Sequence, residues 1–437
     1  MPGRARTWLR WLAVVLLAAA AVSMGKAVSN ALRPDRSDDF QWDAVSRLVQ
    51  GENPYRVFLD APDRPRVTTA TANNPPPNYP ITGFVFLIPY GLLDWSAAKV
   101  AWAATNLGCA IFIVIALARL AGPAGSVARL WGVVAGCLML CSAPARDQIS
   151  AGQHTLFSLA CLLGAWMAGE KPSLRRWLSP MLIAAAWLKF SVTVPLTLIF
   201  LIRGRWREAA GALAIHVGLL GLLCGWLRTG PLDLVGQFID TTRIGLFGLG
   251  LYSNVWDTLA IGRALGPEWP VMGPAISLVC LMAAAVVAWR VGRTGDPLAA
   301  LGLLAIPACL VGFHFRYDFV VLALPLAWVL SRPLPRIDHA AVGSVALANW
   351  FGARWIEKLF YQSAGGPYGN WDTAGIVGIG VISGFTWLVM AWWLARVATR
   401  PSFLGEASEV RPASHHMLSR RVGRRHVQRA DARDRRG

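Results

Sequence analysis

Apolar runs long enough to cross a bilayer recur along this chain, and they decide its fold class before any other feature is weighed. A helical span needs about 20 apolar residues. Residues 11–32, 98–118, 207–227, 271–289 and 373–395 each supply such a run. Of the 437 residues, 55% are hydrophobic and only 15% charged, a balance that no water-soluble domain of this size needs. Many of the 21 Trp lie near the ends of the runs, where an amphipathic ring suits the membrane–water boundary. The chain therefore reads as an all-α integral membrane protein. A single polytopic domain covers residues 1–400, followed by a disordered basic tail, 401–437, without apolar periodicity.

The net charge of +18 raises the question of nucleic acid. The distribution argues against it. Lys and Arg occupy short loops and the tail, as the positive-inside rule and an anionic inner leaflet demand. Placing those loops on one side gives about twelve spans of workable length. Both termini are then cytoplasmic, in a cell membrane of plasma or inner type. Arg4, Arg6 and Arg10 precede the first run, which reads as an uncleaved span. The loop 33–97 is then external. Within it, Ile81–Leu93 is bounded by Pro80 and broken by Pro89; too short to cross, it reads as an interfacial helix. The stretch 178–202 has Arg175 and Arg176 before it and Arg203, Arg205 and Arg207 after it. A hairpin of two short spans, turning near Lys189-Phe190-Ser191, keeps both basic ends inside and sends Lys189 outward. The seven Cys all lie in apolar runs without CxxC spacing, so neither disulfides nor a cysteine metal site is expected.

On this topology the unusual polar residues gather on the outer face. Ionisable groups at membrane depth are functional candidates because burying them is costly. Asp38, Asp39 and Asp43 lie within six residues, and Asp39 and Asp43 share a face if the segment is helical. A carboxylate at the bilayer edge can act as a general base on a hydroxyl. The alternative is that one of the three caps a helix and the others are solvated. Lys189, between two apolar half-spans, suits a lipid phosphate, or else snorkels from a helix end. His314, Arg316 and Asp318 form a compact cluster at a span junction. Arg can grip phosphate bidentately and His can donate to it, unless the three simply pair with one another. Gly152-Gln153-His154 opens another span, as a cap or with Gln153 bound to a hydroxyl. The chain has no HExxH, P-loop, GxGxxG, GxSxG or zinc spacing.

Asp39-Phe40-Gln41-Trp42 followed by Gly51-Glu52-Asn53-Pro54-Tyr55 resembles the first external loop of glycosyltransferase family 87, multi-span mannosyltransferase-like proteins of the GT-C fold. Tyr79-Pro80 with Pro89 is similar to the family's YPP…P stretch, although the proline run here comes earlier, at 75–77. Gly152-Gln153 resembles its GQ motif. Trp187-Leu188-Lys189 through Pro195 and Arg205-Trp206-Arg207 resemble its lK…P…rW segment. His314 through Asp318 and Pro325 is similar to its late H…YD…P segment. These fragments keep the family's order over roughly residues 35–330.

The resemblance implies a polyprenyl-phosphate sugar donor, an external active site and no nucleotide sugar. It implies an inverting transfer in which Asp39 deprotonates the acceptor hydroxyl, with Asp43 and Asp38 as neighbouring acids, and His314 stabilises the donor phosphate. Lys189 and Arg316 join in binding that phosphate, and Asn53, Tyr55, Gln153 and Asp318 shape the sugar pocket. The leaving phosphate already carries charge, so no metal or other cofactor is expected. The acceptor is a lipid-linked or envelope glycan and the sugar a hexose, with mannose favoured. The rival reading is a transporter or lipid flippase. Such proteins usually show an internal repeat with broken helices near the midplane in both halves; no repeat is visible here.

Overall fold

The computed structural model describes residues 2–34, 36–37, 39–60, 76–244, 272–292, 295–310, 316–352 and 373–400. Among them every regular element is helical. The basic tail and Asp38, Asn73, Asn74, Asn254, Asp257, His314, Trp371 and Asp372 lie outside the described residues.

The long helix α1 (Pro2–Ala31) is followed by two short ones, α2 (Trp42–Val49) and α3 (Pro54–Leu59). Next come α4 (Ile81–Phe84), a 3₁₀ turn (Val85–Leu87) and α5 (Ile88–Gly91). This broken segment is too short to cross, and it wedges against α2: a Cβ on Gly91 would stand 2.6 Å from the Val45 side chain. The Asp94 side chain caps α6 (Trp95–Ala121), and Ser126 caps α7 (Val127–Cys141). Pro144 has no N–H to continue the α7 ladder. The chain restarts there, Ser142 capping α8 (Ala143–Ser150) at 58° to α7. Then follow α9 (Thr155–Ala168), α10 (Pro172–Arg175), α11 (Leu178–Ala186), a 3₁₀ turn (Trp187–Lys189), α12 (Phe190–Ile202), α13 (Trp206–Leu227) and α14 (Pro231–Arg243). The remainder is α15 (Met272–Gly292), α16 (Pro297–Leu310), a 3₁₀ turn (Arg316–Leu322), α17 (Ala323–Ser331), α18 (Arg336–Leu347) with a π turn (Ala348–Gly352), and α19 (Thr373–Thr399).

Five described helical stretches are long and apolar enough to cross a membrane, six if the bent α7–α8 pair is one span. This is a multi-pass membrane protein. One of the five, Leu178–Ile202, qualifies by length and composition but does not run straight. Glu208 accepts from Arg175 and Ser179, at the start of α11, and from Arg205, just after α12. A straight 25-residue helix would hold its ends roughly 37 Å apart. Both ends meet one carboxylate, so the chain reverses between them. The reversal is at Lys189, where φ −102° and ψ 66° leave the helical region.

Arginines collect at the face to which that hairpin returns, and they staple helices together. Arg332 binds Asp296 at 2.8 Å and the Ala121 carbonyl at 2.6 Å. Arg396 and Arg400 share the buried Asp338. The Arg205 guanidinium covers the Trp166 and Phe200 rings. Trp177, Trp206, Trp289 and Trp392, near these helix ends, keep much of their surface exposed, as an interfacial belt would. The main core is aliphatic and joins α1, α6, α7, α9, α11, α12, α16 and α17. A second cluster, rich in aromatic rings, sits at the opposite ends of these helices, around Phe40, Tyr55, Tyr79, Phe84, Trp102 and Leu188.

Candidate functional site

Beside the aromatic cluster, two loops far apart in sequence are zipped together. Ser37, left-handed at φ 66°, donates its amide to the Ser150 carbonyl at 3.2 Å. The Asp39 amide donates to the Ala151 carbonyl at 2.9 Å. Phe40 is fully buried and stacks on Trp102 at 5.1 Å with nearly parallel planes. Trp102 in turn donates its indole N–H to the Gly152 carbonyl at 2.8 Å. Asp39 is thereby held half-buried by main-chain bonds that do not depend on its own side chain.

Gly152 is required here twice over. Its φ is +73°, a region that side chains rarely adopt. A Cβ on it would stand 2.7 Å from the Phe40 Cβ. Gly152→Ala is therefore expected to push Phe40 and Asp39 out of register. The predicted cost is about 1–3 kcal/mol of stability, with a larger loss of activity. Thermal unfolding and transfer assays on the same preparation check this; wild-type activity in the variant would contradict it.

Behind Gly152, polar side chains knit three segments together. Gln153 accepts from the Tyr79 hydroxyl at 3.2 Å. Gln148 donates to the Tyr317 carbonyl at 3.1 Å and accepts from the Thr155 amide. Thr155 donates its hydroxyl to Asp318 at 2.5 Å. Asp318 is only 1% exposed. Its cationic partner is Lys189, whose Nζ lies 3.5 Å from Oδ1. The Lys189 ammonium also lies 5.5 Å from the Tyr79 ring centre and 5.4 Å from that of Tyr317. Its main-chain N–H goes to the Ser158 hydroxyl.

Tyr79 reads the electrostatics of the whole site. Burial pushes its phenol up to about 12; the Lys189 charge opposes this, while Asp318 and Asp39 add to it. The phenol therefore stays protonated and donates to Gln153 across the ordinary pH range. The charges of Asp318 and Asp39 both bear on Tyr79 and on Lys189. A buried ammonium is tolerable only with such partners. Asp318 supplies charge from inside the fold, and Asp39 supplies it from the accessible side.

Other residues singled out from the sequence stand apart. The helix begins at Trp42, so Asp39 precedes it and does not share a helical face with Asp43. Asp43 instead binds Arg47, one turn along α2, at 2.9 Å, and Arg47 also reaches Glu52. Asn53 caps α3 by accepting from the Tyr55 and Arg56 amides, and donates to Gln237. Tyr55 is sealed, its phenol pushed up by burial, and donates to the Tyr79 carbonyl at 2.5 Å. Tyr55 thus supports Tyr79 directly, and Asn53 acts on it only through the Tyr55 amide. Arg316 opens the turn that carries Tyr317 and Asp318, but its side chain, like His314, lies outside the described residues.

Sequence reasoning left Tyr317, Thr155 and Ser158 out of the site. Tyr317 was within reach, lying inside the His314–Asp318 cluster. Thr155 and Ser158 carry no local signal. A hydroxyl in an apolar run commonly bonds its own helix, and only the fold shows that these two face Asp318 and the Lys189 turn. His154 is also buried here, its ring 4.8 Å from Tyr79 and 5.0 Å from Trp102, with neither nitrogen hydrogen-bonded among the described residues. Among those residues no three His, Cys, Asp or Glu side chains gather as a metal site would.

Comparison with known families gives a match over the centre of the chain. The model described as Glycosyltransferase family 87 matches residues 78–313, more than half of the chain. That span contains Tyr79, Gln153, Thr155, Ser158 and Lys189. It starts after Asp39 and stops before Asp318. No curated protein and no solved structure matches.

Proposed function

The chain belongs to glycosyltransferase family 87, and from that premise we propose that it moves a hexose, with mannose favoured, from a polyprenyl-phosphate donor to a lipid-linked or envelope glycan. In this reading it is a GT-C-type enzyme of twelve spans with both termini cytoplasmic. Residues 1–400 form its domain, residues 401–437 form a basic tail, and the site opens to the exterior or periplasm. Support comes from the common location of helix ends. The arginine staples lie at one end of the bundle, and Asp39, Tyr79, Lys189 and Asp318 lie at the other.

The observation that carries the chemistry is that a half-buried carboxylate, Asp39, is tied through its amide to Ala151, two residues before the Gln153 that meets Tyr79 beside a nearly sealed ammonium, Lys189, at the apex of a membrane hairpin. Asp39 takes the proton of the acceptor hydroxyl. The freed oxygen attacks the anomeric carbon from the face opposite the phosphate. The bond from that carbon to the phosphate oxygen breaks, and the electron pair leaves with the polyprenyl phosphate. The configuration inverts. Lys189 stabilises the leaving phosphate electrostatically, and His314 and Arg316 take the phosphate-binding roles that the family resemblance assigns them. Gln153 and Asp318 complete the wall facing the sugar, with Asn53 and Tyr55 setting its shape through Tyr79. Asp43, tied to Arg47, stiffens α2 beside the site.

The test is transfer by purified protein in lipid nanodiscs. Radiolabelled polyprenyl-phosphate hexoses are supplied one at a time, with a membrane-lipid extract as acceptor. Label passing from one of them into a new lipid or glycan product is the expected result. Failure with every polyprenyl-phosphate hexose, alongside transfer from a nucleotide sugar, would overturn the donor class.

A further inference from the structure

His216 lies midway along α13 and is half-buried at membrane depth, yet both ring nitrogens are engaged. Nε2 lies 3.0 Å from the Ala184 carbonyl and Nδ1 lies 2.7 Å from the Thr82 hydroxyl. A carbonyl only accepts, so Nε2 carries a hydrogen. In the neutral ring Nδ1 is then the acceptor and takes the Thr82 hydroxyl hydrogen. Its face stacks on Trp187 at 5.4 Å, with planes 17° apart.

These contacts converge on the turn that presents Lys189. Where α11 gives way to the Trp187–Lys189 turn, the helical ladder is interrupted. Interrupted backbone in a membrane must find partners inside the protein. Thr193 supplies them for the Ala186 and Lys189 carbonyls, at 2.7 and 3.0 Å. Ser158 receives the Lys189 amide. His216 binds the Ala184 carbonyl and, through Trp187, braces the start of the turn. The other side of the turn rests on Gly83, where a Cβ would stand 3.1 Å from the Leu188 side chain. Thr82, the partner of Nδ1, is the residue next to that contact. His216 therefore clamps the Lys189 turn between α13 and the α4 segment.

We infer that His216 is a positioning residue for Lys189: its Nε2–H bond to Ala184 and its stack on Trp187 hold the ammonium where the leaving phosphate meets it. The catalytic part of this rests on the glycosyltransferase reading; the positioning part does not. A core histidine that merely fills space would tolerate any substituent of similar volume. A positioning residue needs a donor at Nε2.

Three substitutions separate these cases. The amide of His216→Gln reaches the Nε2 position and keeps the donor to Ala184. The shorter amide of His216→Asn reaches only the Nδ1 position, keeping Thr82 and losing Ala184. His216→Leu loses both. Each is measured in nanodiscs for thermal stability, for deuterium uptake of peptides covering residues 184–190, and for kcat and KM. Uptake at 184–190 is expected to rise strongly in the Asn and Leu variants, which lose both the donor and the ring stack, and clearly less in the Gln variant, which keeps the donor without the ring. With uptake, kcat falls about tenfold and KM stays nearly unchanged, the pattern of a lost transition-state contact. Equal uptake in the Asn and Gln variants overturns the inference whatever the transfer assay gives. Raised uptake with undiminished kcat overturns it as well. Raised uptake in the Asn and Leu variants of a protein whose wild type uses no polyprenyl-phosphate donor leaves the positioning standing and overturns the functional reading instead.

Discussion

Asp39→Asn is expected to lower sugar transfer by about 10²–10⁴-fold, the usual worth of a general base, without unfolding the protein. The main-chain bond to Ala151 that holds residue 39 survives the change, because it uses the backbone amide. The new amide has the shape of the carboxylate but cannot take a proton. Donor binding is expected to persist, since Lys189 and Asp318 are untouched. Asp43→Asn is the informative comparison. It removes only a partly exposed pair with Arg47, one turn away on the same helix, and such pairs are worth about 0.3–0.5 kcal/mol. Its activity is expected to stay near wild type. Transfer from a labelled donor, corrected for folded protein by thermal unfolding, reads both variants. An active Asp39→Asn beside an inactive Asp43→Asn would move the base to residue 43.

How far this site is legible before folding depends on the range of the forces that built it. The hairpin at Lys189 can be read because charge announces it: arginines stand before residue 178 and after residue 202, and both sets belong at one membrane face. The structure adds what charge alone does not give, namely that Glu208 joins the two sets. The Asp39–Asp43 spacing misleads for a similarly physical reason. A four-residue interval has meaning only inside a helix, and the Ala151 carbonyl claims the Asp39 amide before the helix starts. Asn53 and Tyr55 look like pocket residues because they are polar in an unusual loop. Their partners, the α3 amides and the Tyr79 carbonyl, show them at work on the loop's own shape. Thr155, Ser158 and His216 are single polar residues in apolar runs. Their contacts lie 163, 31 and 134 or 32 positions away, and no periodicity in the chain encodes partners at such distances.

Lys189→Met is expected to be the most damaging single substitution, and it should fail in two separable ways. The Lys189–Asp318 pair is buried, with side chains 10% and 1% exposed. Removing one partner of such a pair takes the Lys189 charge from a buried carboxylate, a change that costs about 3–5 kcal/mol. The loss of fold alone would then hide any catalytic role. The double variant Lys189→Met, Asp318→Asn removes both charges, and an amide at 318 can still accept the Thr155 hydroxyl. Most of the lost stability is expected to return, because replacing a whole buried pair by neutral groups is often nearly free. Transfer is not expected to return. The leaving phosphate would face no ammonium, and the loss of one electrostatic stabiliser of this kind costs about 10²–10³ in rate. Thermal unfolding and single-turnover transfer, measured on wild type and both variants, separate the two effects. A stable double variant that transfers sugar at the wild-type rate would show that Lys189 serves only to neutralise Asp318. A stable but inactive one means that the ammonium acts on the donor itself, with Asp318 keeping it charged and in place within the fold.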